Sequence, residues 1–306
     1  MFTAAVLMST YNGENYLREQ IDSILNQEAA DIRLFVRDDG SADKTIEMIE
    51  DCMKRQENIT LFKGRNIGVG NSFMDLLYQA GDEFDYYAFA DQDDIWLPFK
   101  LRKAVEKIGQ QDRPILYASN QILADKELNR IGLRYTQAPD TGYTQIMCQN
   151  KITGCTMVWN RALQRLLSDP KRRPSKELLA GRIHDVWVAM AASVAGGIIY
   201  DQNGYILYRQ HENNVVGIRK ANVMMQWIDK MRHPEQRNGR SLLCKEIVSK
   251  YADVIPSKEI ITKLNEFAYY SDNVKSKIKL LRDNTVINCT GETRIGFMMK
   301  VLFNFF

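Results

Sequence analysis

Residues 4–90 of this 306-residue chain repeat one unit, a short apolar run followed by a polar turn and an amphipathic stretch. Ala4–Ser9, Ile32–Arg37, Ile59–Lys63 and Tyr86–Ala90 are the apolar runs. Their length and flanking turn residues suit strands buried on both faces. Between them lie Glu14–Asn26, the stretch bearing Ile46, Ile49 and Met53, and Asn71–Ala80, with apolar residues at helical spacing. Asn12 and Ser41 are the expected N-caps. Parallel strands need crossover connections, and the crossover helices cover both faces of the sheet. The predicted class is therefore α/β, a mostly parallel sheet with helices on both sides.

That topology also says where chemistry belongs. In open α/β sheets, ligands collect at the carboxyl ends of the strands. Asp38, Asp39, Gly40 and Ser41 follow the second run, and Asp91, Gln92, Asp93 and Asp94 follow the fourth. Both acidic turns should thus share one rim, with Tyr11 on the same rim after the first strand. Three carboxylates at a strand end repel one another and lose hydration, a cost that a hard divalent cation shared with phosphate oxygens would offset. One acidic pair is then free to bond a base or ribose, and Tyr11 to lie against a nucleobase. Each residue also has a plain structural alternative. The acidic turn may be read as a solvated face, Asp39 as a helix cap, and Tyr11 as a core aromatic.

Downstream, the pattern gives a helix over Phe99–Gln110, a strand at Ile115–Ser119, a polar loop or hairpin over Asn120–Ala138, a strand at Ile152–Trp159 and a helix at Arg161–Leu167. Asp169–Leu178 carries two prolines and the basic cluster Lys171, Arg172 and Arg173, so a mobile loop is expected. A buried helix at His184–Ala195 and short strands at Gly197–Asp201 and Ile206–Tyr208 follow. From Asn222 on, helical patterns at Asn222–Met231, Ser241–Tyr251, Lys258–Arg282 and Thr293–Phe305 predict a helical C-terminal extension.

Composition narrows the class. A net charge of +3 is too small to argue for nucleic acid. Five scattered cysteines, without the close pairs of a zinc site, suit free thiols in a reducing, cytoplasmic setting. No signal peptide and no bilayer-spanning run are expected. The turn Thr10–Gly13 lacks the glycine pattern of a dinucleotide fold, and Gly64–Gly70 lacks the Lys-Ser/Thr of a phosphate-binding loop.

Six segments, in order, carry a resemblance: Val6–Gly13, Val36–Asp43, Asp91–Pro98, Ile152–Thr156, His184–Trp187 and Tyr208–Asn214. Over roughly residues 2–216 the chain resembles a family 2 glycosyltransferase with the GT-A fold. The Asp-Gln-Asp-Asp-Ile-Trp and Gln-His-x-Asn-Asn forms are similar to bacterial rhamnosyltransferase-like members that build surface polysaccharides. The resemblance implies a catalytic domain over 1–217 and a helical extension over 218–306. It implies that Tyr11 stacks on the donor base, Asp39 binds the base edge and Asp91 contacts the ribose, with Ser9, Asp38 and Asn66 also lining the nucleotide site. Asp93 would ligate Mg²⁺ or Mn²⁺, with Asp94 as the rival ligand, and His211 would add a metal or phosphate contact. Asp185 matches the base of inverting members, and Trp96, Gly154 and His184 would line the sugar.

The implied reaction is transfer of one sugar, rhamnose being one option, from a dTDP- or UDP-sugar to a glycan or lipid-linked acceptor such as O-antigen or capsule. The Gln-x-x-Arg-Trp motif of processive synthases is missing, hence the single transfer. The residues alone agree with this chemistry: an acceptor hydroxyl needs a carboxylate to take its proton, and a diphosphate leaving group needs neutralisation. They also allow His184 and Asp185 to be a simple helix N-terminal pair and His211 a structural histidine. Two other functions fit an acidic sheet rim, a sugar-nucleotide-forming nucleotidyltransferase and a non-catalytic glycan-binding protein. The tail from Arg294 to Phe306 is apolar with interspersed cations. It is expected either to touch the inner face of a membrane or to pack on the catalytic domain or a second subunit.

Overall fold

The computed structural model describes residues 1–181, 184–211 and 238–305. Glu212, Asn213 and Asn214 of the last motif, the predicted helix Asn222–Met231 and the expected boundary at 217–218 lie outside the described residues. The first half builds β1 (Phe2–Thr10), α1 (Leu17–Leu25), β2 (Ala30–Asp38), α2 (Thr45–Met53), β3 (Ile59–Lys63), α3 (Val69–Gln79) and β4 (Tyr86–Ala90). β5 (Ile95–Trp96), α4 (Lys100–Ile108), β6 (Ile115–Ala124), β7 (Arg130–Leu133), α5 (Tyr143–Cys148), β8 (Val158–Asn160), α6 (Arg161–Ser168), α7 (Lys176–Gly181), α8 (His184–Ala195) and β9 (Gly197–Arg209) follow. Among the described residues one sheet runs in the order β3-β2-β1-β4-β8-β6-β9-β5, with β7 on β6. β3, β2, β1 and β4 are mutually parallel, and β8 enters antiparallel.

β1 shows why the chain folds this way. Ala5 and Leu7 point into one core layer with Phe73, Leu77 and Tyr87. Ala4, Val6 and Met8 point into the other, with Leu17, Ile21 and Ile24 of α1. Every one of Ala4 to Met8 is fully buried. A polar residue anywhere in the run would sit unpaired in one layer or the other, so the run is apolar without alternation. Truncating Leu7 to Ala would cost about 2–5 kcal/mol by the usual cavity cost.

The later elements shift the expected bounds in several places and settle the loop-or-hairpin alternative after Ser119. The Ile152–Trp159 strand is mostly a 3-10 turn at Gly154–Thr156, and only Val158–Asn160 pairs. The polar stretch after Ser119 is a hairpin: β6 continues to Ala124 and returns as β7, the Asp125 carboxylate accepting from the Asn129 and Glu127 amides. The two short strands after Ala195 are one strand of 13 residues, β9. The Asp169–Leu178 segment is not a free loop. Arg172 pairs with Asp253 and donates to the Lys250 carbonyl, Arg173 lies 3.9 Å over the Tyr78 ring, and Glu246 accepts from the Ser175 amide at 2.8 Å. Arg172 and Arg173 have partners, and those partners hold it down.

Glu246 and Lys250 belong to the first of the C-terminal helices, α9 (Gly239–Tyr251), Asp253 lies just beyond it and Tyr78 is on α3; α10 (Lys258–Ala268), α11 (Val274–Leu281), α12 (Asn284–Thr290) and α13 (Arg294–Leu302) follow. Leu243, Cys244, Ile247 and Tyr251 of α9 join the core layer that holds Leu178 and Trp187, and Tyr251 meets Trp187 edge-on at 5.7 Å. The C-terminal helices therefore share a core with the first half of the chain. They brace α8, the helix that begins at His184.

Candidate functional site

Strand register sets the rim. Thr10 pairs with Asp38, Asp38 with Lys63, and Met8 with Ala90, so the turns after β1, β2, β3 and β4 all open on one edge. Tyr11 lies there half exposed, at 50%. Gln92 pins its backbone, accepting from the Tyr11 amide at 2.9 Å and donating to its carbonyl at 3.1 Å. The ring is thus held out from the rim and does not pack in the core.

The two carboxylates after β2 face inward. Asp38 is fully buried and accepts from Thr10 Oγ1 and from the Gly40 and Ser41 amides. Its oxygens are used by its own turn, which corrects the expectation that Asp38 lines the nucleotide. The turn needs Gly40, whose φ of +86° L side chains rarely adopt. Asp39 accepts from the Ile67 and Gly68 amides at 2.9 and 3.0 Å and pairs with Arg37. It therefore ties the β2 turn to the loop after β3. Asn66 Oδ1 accepts from the Gly68 amide within that loop. The Ser9 hydroxyl is bonded to Ser72 Oγ at 2.6 Å.

The acidic stretch is brought together with His211 by an antiparallel pairing. Ile95 faces Leu207 and Trp96 faces Ile206, so the residues before β5 lie beside the end of β9. His211 Nε2 and Asp93 Oδ2 are 2.8 Å apart, with side chains 13% and 16% exposed. Arg209, buried, fastens the junction. Its Nε donates to the Asp93 carbonyl, its backbone amide to Asp94 Oδ1, and its guanidinium pairs with Glu19 of α1 while lying 4.5 Å over Tyr16. The Tyr16 and His211 rings are 5.0 Å apart.

Behind this opening the site is dry. Asp94 is fully buried, and its Oδ2 has no hydrogen-bond partner. Burial, and then the charges of Asp93 and Asp91, push Asp94 well above the usual carboxylate range. Burial also pushes Asp91 up, to about 7, helped by the charges of Asp93 and Asp185. Asp185 therefore lies close enough for Asp91 to feel its charge. Beside them Cys155 is fully buried, and burial raises its thiol well above the ordinary value. Lys100 Nζ is buried 3.4 Å over the Trp96 ring, and burial pulls it down to about 7. Trp96 is 2% exposed and packs in the layer under α4. This corrects the expectation that it lines a sugar, because the strand pairing with β9 turns it into the core.

The far wall is made by the Gly154–Thr156 turn and the start of α8. His184 stacks on Phe73 at 4.0 Å and meets Phe89 edge-on at 4.8 Å. Neither ring nitrogen has a partner, and burial pulls the imidazole down to about 3, so it is neutral. A Cβ at position 154 would come within 2.6 Å of His184 Nε2, which explains the glycine. Asp185 follows in the first turn of α8, 9% exposed, with its Oδ1 accepting from the Val186 amide at 2.6 Å.

A divalent cation fits this chemistry. Two carboxylates, Asp91 and Asp94, are held above their ordinary range by burial and by the charge of Asp93, and among the described residues one buried oxygen has no partner. Asp91, Asp94 and Cys155 bring donor atoms within 4.8 Å of one another. A thiol kept protonated by burial is a poor ligand for hard Mg²⁺ or Mn²⁺, though. Asp93 and His211 offer oxygen and imidazole on the open side. Arg37, Gln92, Cys155 and Arg209 lie within motifs legible in the sequence but carry no role there, and Lys100 stands out in no motif. A lysine at helical spacing reads as a solvated residue. Only its packing against Trp96 makes it otherwise.

The Glycosyl transferase family 2 profile matches residues 5–167. The chain is 31% identical over 217 residues to the dTDP-rhamnosyl transferase RfbG of Shigella flexneri, covering 69% of this chain and 73% of that one. Its fold matches S. aureus TarS 1-349 in complex with UDP-GlcNAc with a TM-score of 0.60, at 16% identity over 98% of this chain and 81% of that one. GalNAc-T7 with UDP, GalNAc and Mn²⁺ matches with a TM-score of 0.52, at 12% identity over 99% of this chain and 58% of that one.

Proposed function

The chain belongs to glycosyl transferase family 2, with the GT-A fold, and is a glycosyltransferase; from that premise we propose that it is an inverting, metal-dependent enzyme that moves a single sugar from a nucleoside diphosphate to a glycan or lipid-linked acceptor. Rhamnose from a dTDP-sugar is the donor suggested by kinship with RfbG, and surface polysaccharide is the product. A UDP-sugar is the second reading, suggested by the fold shared with TarS.

The observation that carries the proposal is convergence. Asp93 after β4 lies against His211 after β9, and Asp91 feels the charge of Asp185 on α8, which draws acidic groups and an imidazole from three parts of the chain to one region. Tyr11 supplies an exposed ring for the base, and Asp39 shapes the loop beside it. Asp93 and His211 would hold Mg²⁺ or Mn²⁺, with Asp91 next to them. When bound, the ion would neutralise the diphosphate and make it a better leaving group.

The chain's own residues do the rest. Phe73, Phe89 and neutral His184 form a buried apolar layer next to Asp185 at the start of α8, and a low-dielectric surrounding of that kind would strengthen electrostatic interactions there. Asp185 would take the acceptor hydroxyl's proton as the new glycosidic bond forms and the bond to the diphosphate breaks. Attack from the face opposite the leaving group inverts the anomeric carbon.

Asp185→Asn keeps shape and volume but cannot accept the proton. Transfer should fall about a hundredfold or more, the usual worth of a general base, while donor affinity by calorimetry stays unchanged. Near-normal turnover in this variant would remove Asp185 from the role.

A further inference from the structure

Among the described residues, helix α13 buries one apolar face and leaves a second exposed. Phe297 and Val301, four residues apart, are buried. Ile295, Met298 and Leu302, at spacings of three and four, form the other face and are 71%, 41% and 49% exposed. Phe303, 57% exposed, extends the stripe. α11 packs beside α13, and its Lys277 Nζ donates to the Leu302 carbonyl at 3.1 Å. It exposes Val274 and Ile278, also one turn apart. Scattered exposed apolar residues are ordinary, but ordered stripes on two adjoining helices mark a contact surface.

Charge says what kind. Residues 274–305 hold six cations (Lys275, Lys277, Lys279, Arg282, Arg294 and Lys300) against two acids (Asp283 and Glu292), a surplus of four where the whole chain has three. Both acids are already engaged, Asp283 with Lys263 and Glu292 with Lys300. Lys275, Arg282 and Arg294 are exposed and make no ion pair among the described residues. A protein partner of like composition would be repelled by this surplus, whereas an anionic lipid surface complements it. Apolar stripe and cationic rim together are the signature of a helix lying in the headgroup layer. No helix among the described residues is long and apolar enough to cross a membrane, so the contact is peripheral.

We propose that the exposed stripe of α13, flanked by Lys275, Arg282 and Arg294, seats this protein on an anionic membrane surface. The reading does not depend on which sugar or acceptor the enzyme uses.

The test is vesicle flotation of the full chain with phosphatidylcholine alone and with phosphatidylcholine mixed with phosphatidylglycerol. The wild type should float with the anionic vesicles and weakly or not at all with the neutral ones. Each cation near the surface is worth about fivefold in partitioning. The variant Ile295→Gln/Met298→Gln/Leu302→Gln changes exposed positions only and should lose roughly a hundredfold or more. A second variant, Lys275→Gln/Arg282→Gln/Arg294→Gln, should lose the preference for anionic lipid while keeping its melting temperature. The proposal is overturned if the wild type stays with the protein pellet, or if the apolar variant floats as well as the wild type. It is overturned equally if the stripe makes a dimer without lipid, seen as a mass that halves in the apolar variant.

Discussion

His184→Leu should change how stability depends on pH, by an amount that follows from the site. The imidazole is 3% exposed, neither nitrogen is bonded, and burial lowers its value from 6.5 to about 3. The unfolded chain therefore takes up a proton as pH falls through 6.5, while the folded chain refuses it until about 3. Stability from the neutral ring is complete above the unfolded value and is lost as pH falls below it. At about pH 5 the loss is about 2 kcal/mol relative to about pH 7. For a chain of this length that is roughly 3 °C in melting temperature. Leucine has similar volume and does not titrate. Near neutrality its lost ring contacts with Phe73 and Phe89, about 0.5–1.5 kcal/mol each, roughly offset the relief of two unbonded buried nitrogens. The assay is thermal unfolding of both proteins across this pH range. Buried Asp91 and Asp94 titrate in both, so they cancel in the difference. Parallel curves for the two proteins would refute the reasoning, because they would mean that the imidazole is solvated or bonded.

Gly154→Ala drives a Cβ to 2.6 Å from His184 Nε2, whose ring is held by two phenyl groups. It should cost about 1–3 kcal/mol and lower transfer, and an unchanged melting temperature and rate would count against the packing described. Tyr11→Ala removes an exposed ring and should weaken nucleoside diphosphate binding roughly two- to tenfold without lowering the melting temperature. Unaltered affinity by calorimetry would take Tyr11 off the base. Arg172→Ala frees the segment after α6 from Asp253 and the Lys250 carbonyl. Limited proteolysis should then cut between Asp169 and Ser175, where the wild type resists.

Much of this was readable in advance. The rim followed from the alternation of apolar runs with helical patterns, since parallel strands must end together, and the register of Thr10, Asp38 and Lys63 bears that out. Motif order brought His184, Asp185 and His211 to the same region as the acidic stretch. What pattern could not give was direction. Asp38 and Asp39 are neighbours in one motif, yet Asp38 is consumed by its own turn and Asp39 by the next loop. Trp96 sits two residues from Asp94, but pairing with Ile206 turns it into the core. Asp93 and Asp94 diverge in the same way: Asp93 lies against His211, while Asp94, next to β5, is fully buried. The basic cluster at Lys171–Arg173 was legible as charge but not as docking, because its partners lie on α3 and α9, far along the chain.

The central claim is that Asp93 belongs to a cation site serving a diphosphate. The most direct measurement is calorimetric titration of UDP and of dTDP into the wild type and Asp93→Ala, each with and without Mn²⁺. The wild type should bind one of them much more tightly with the ion, and the variant should bind weakly and to the same extent either way. An Asp93→Ala protein that keeps its Mn²⁺-dependent affinity would contradict the account.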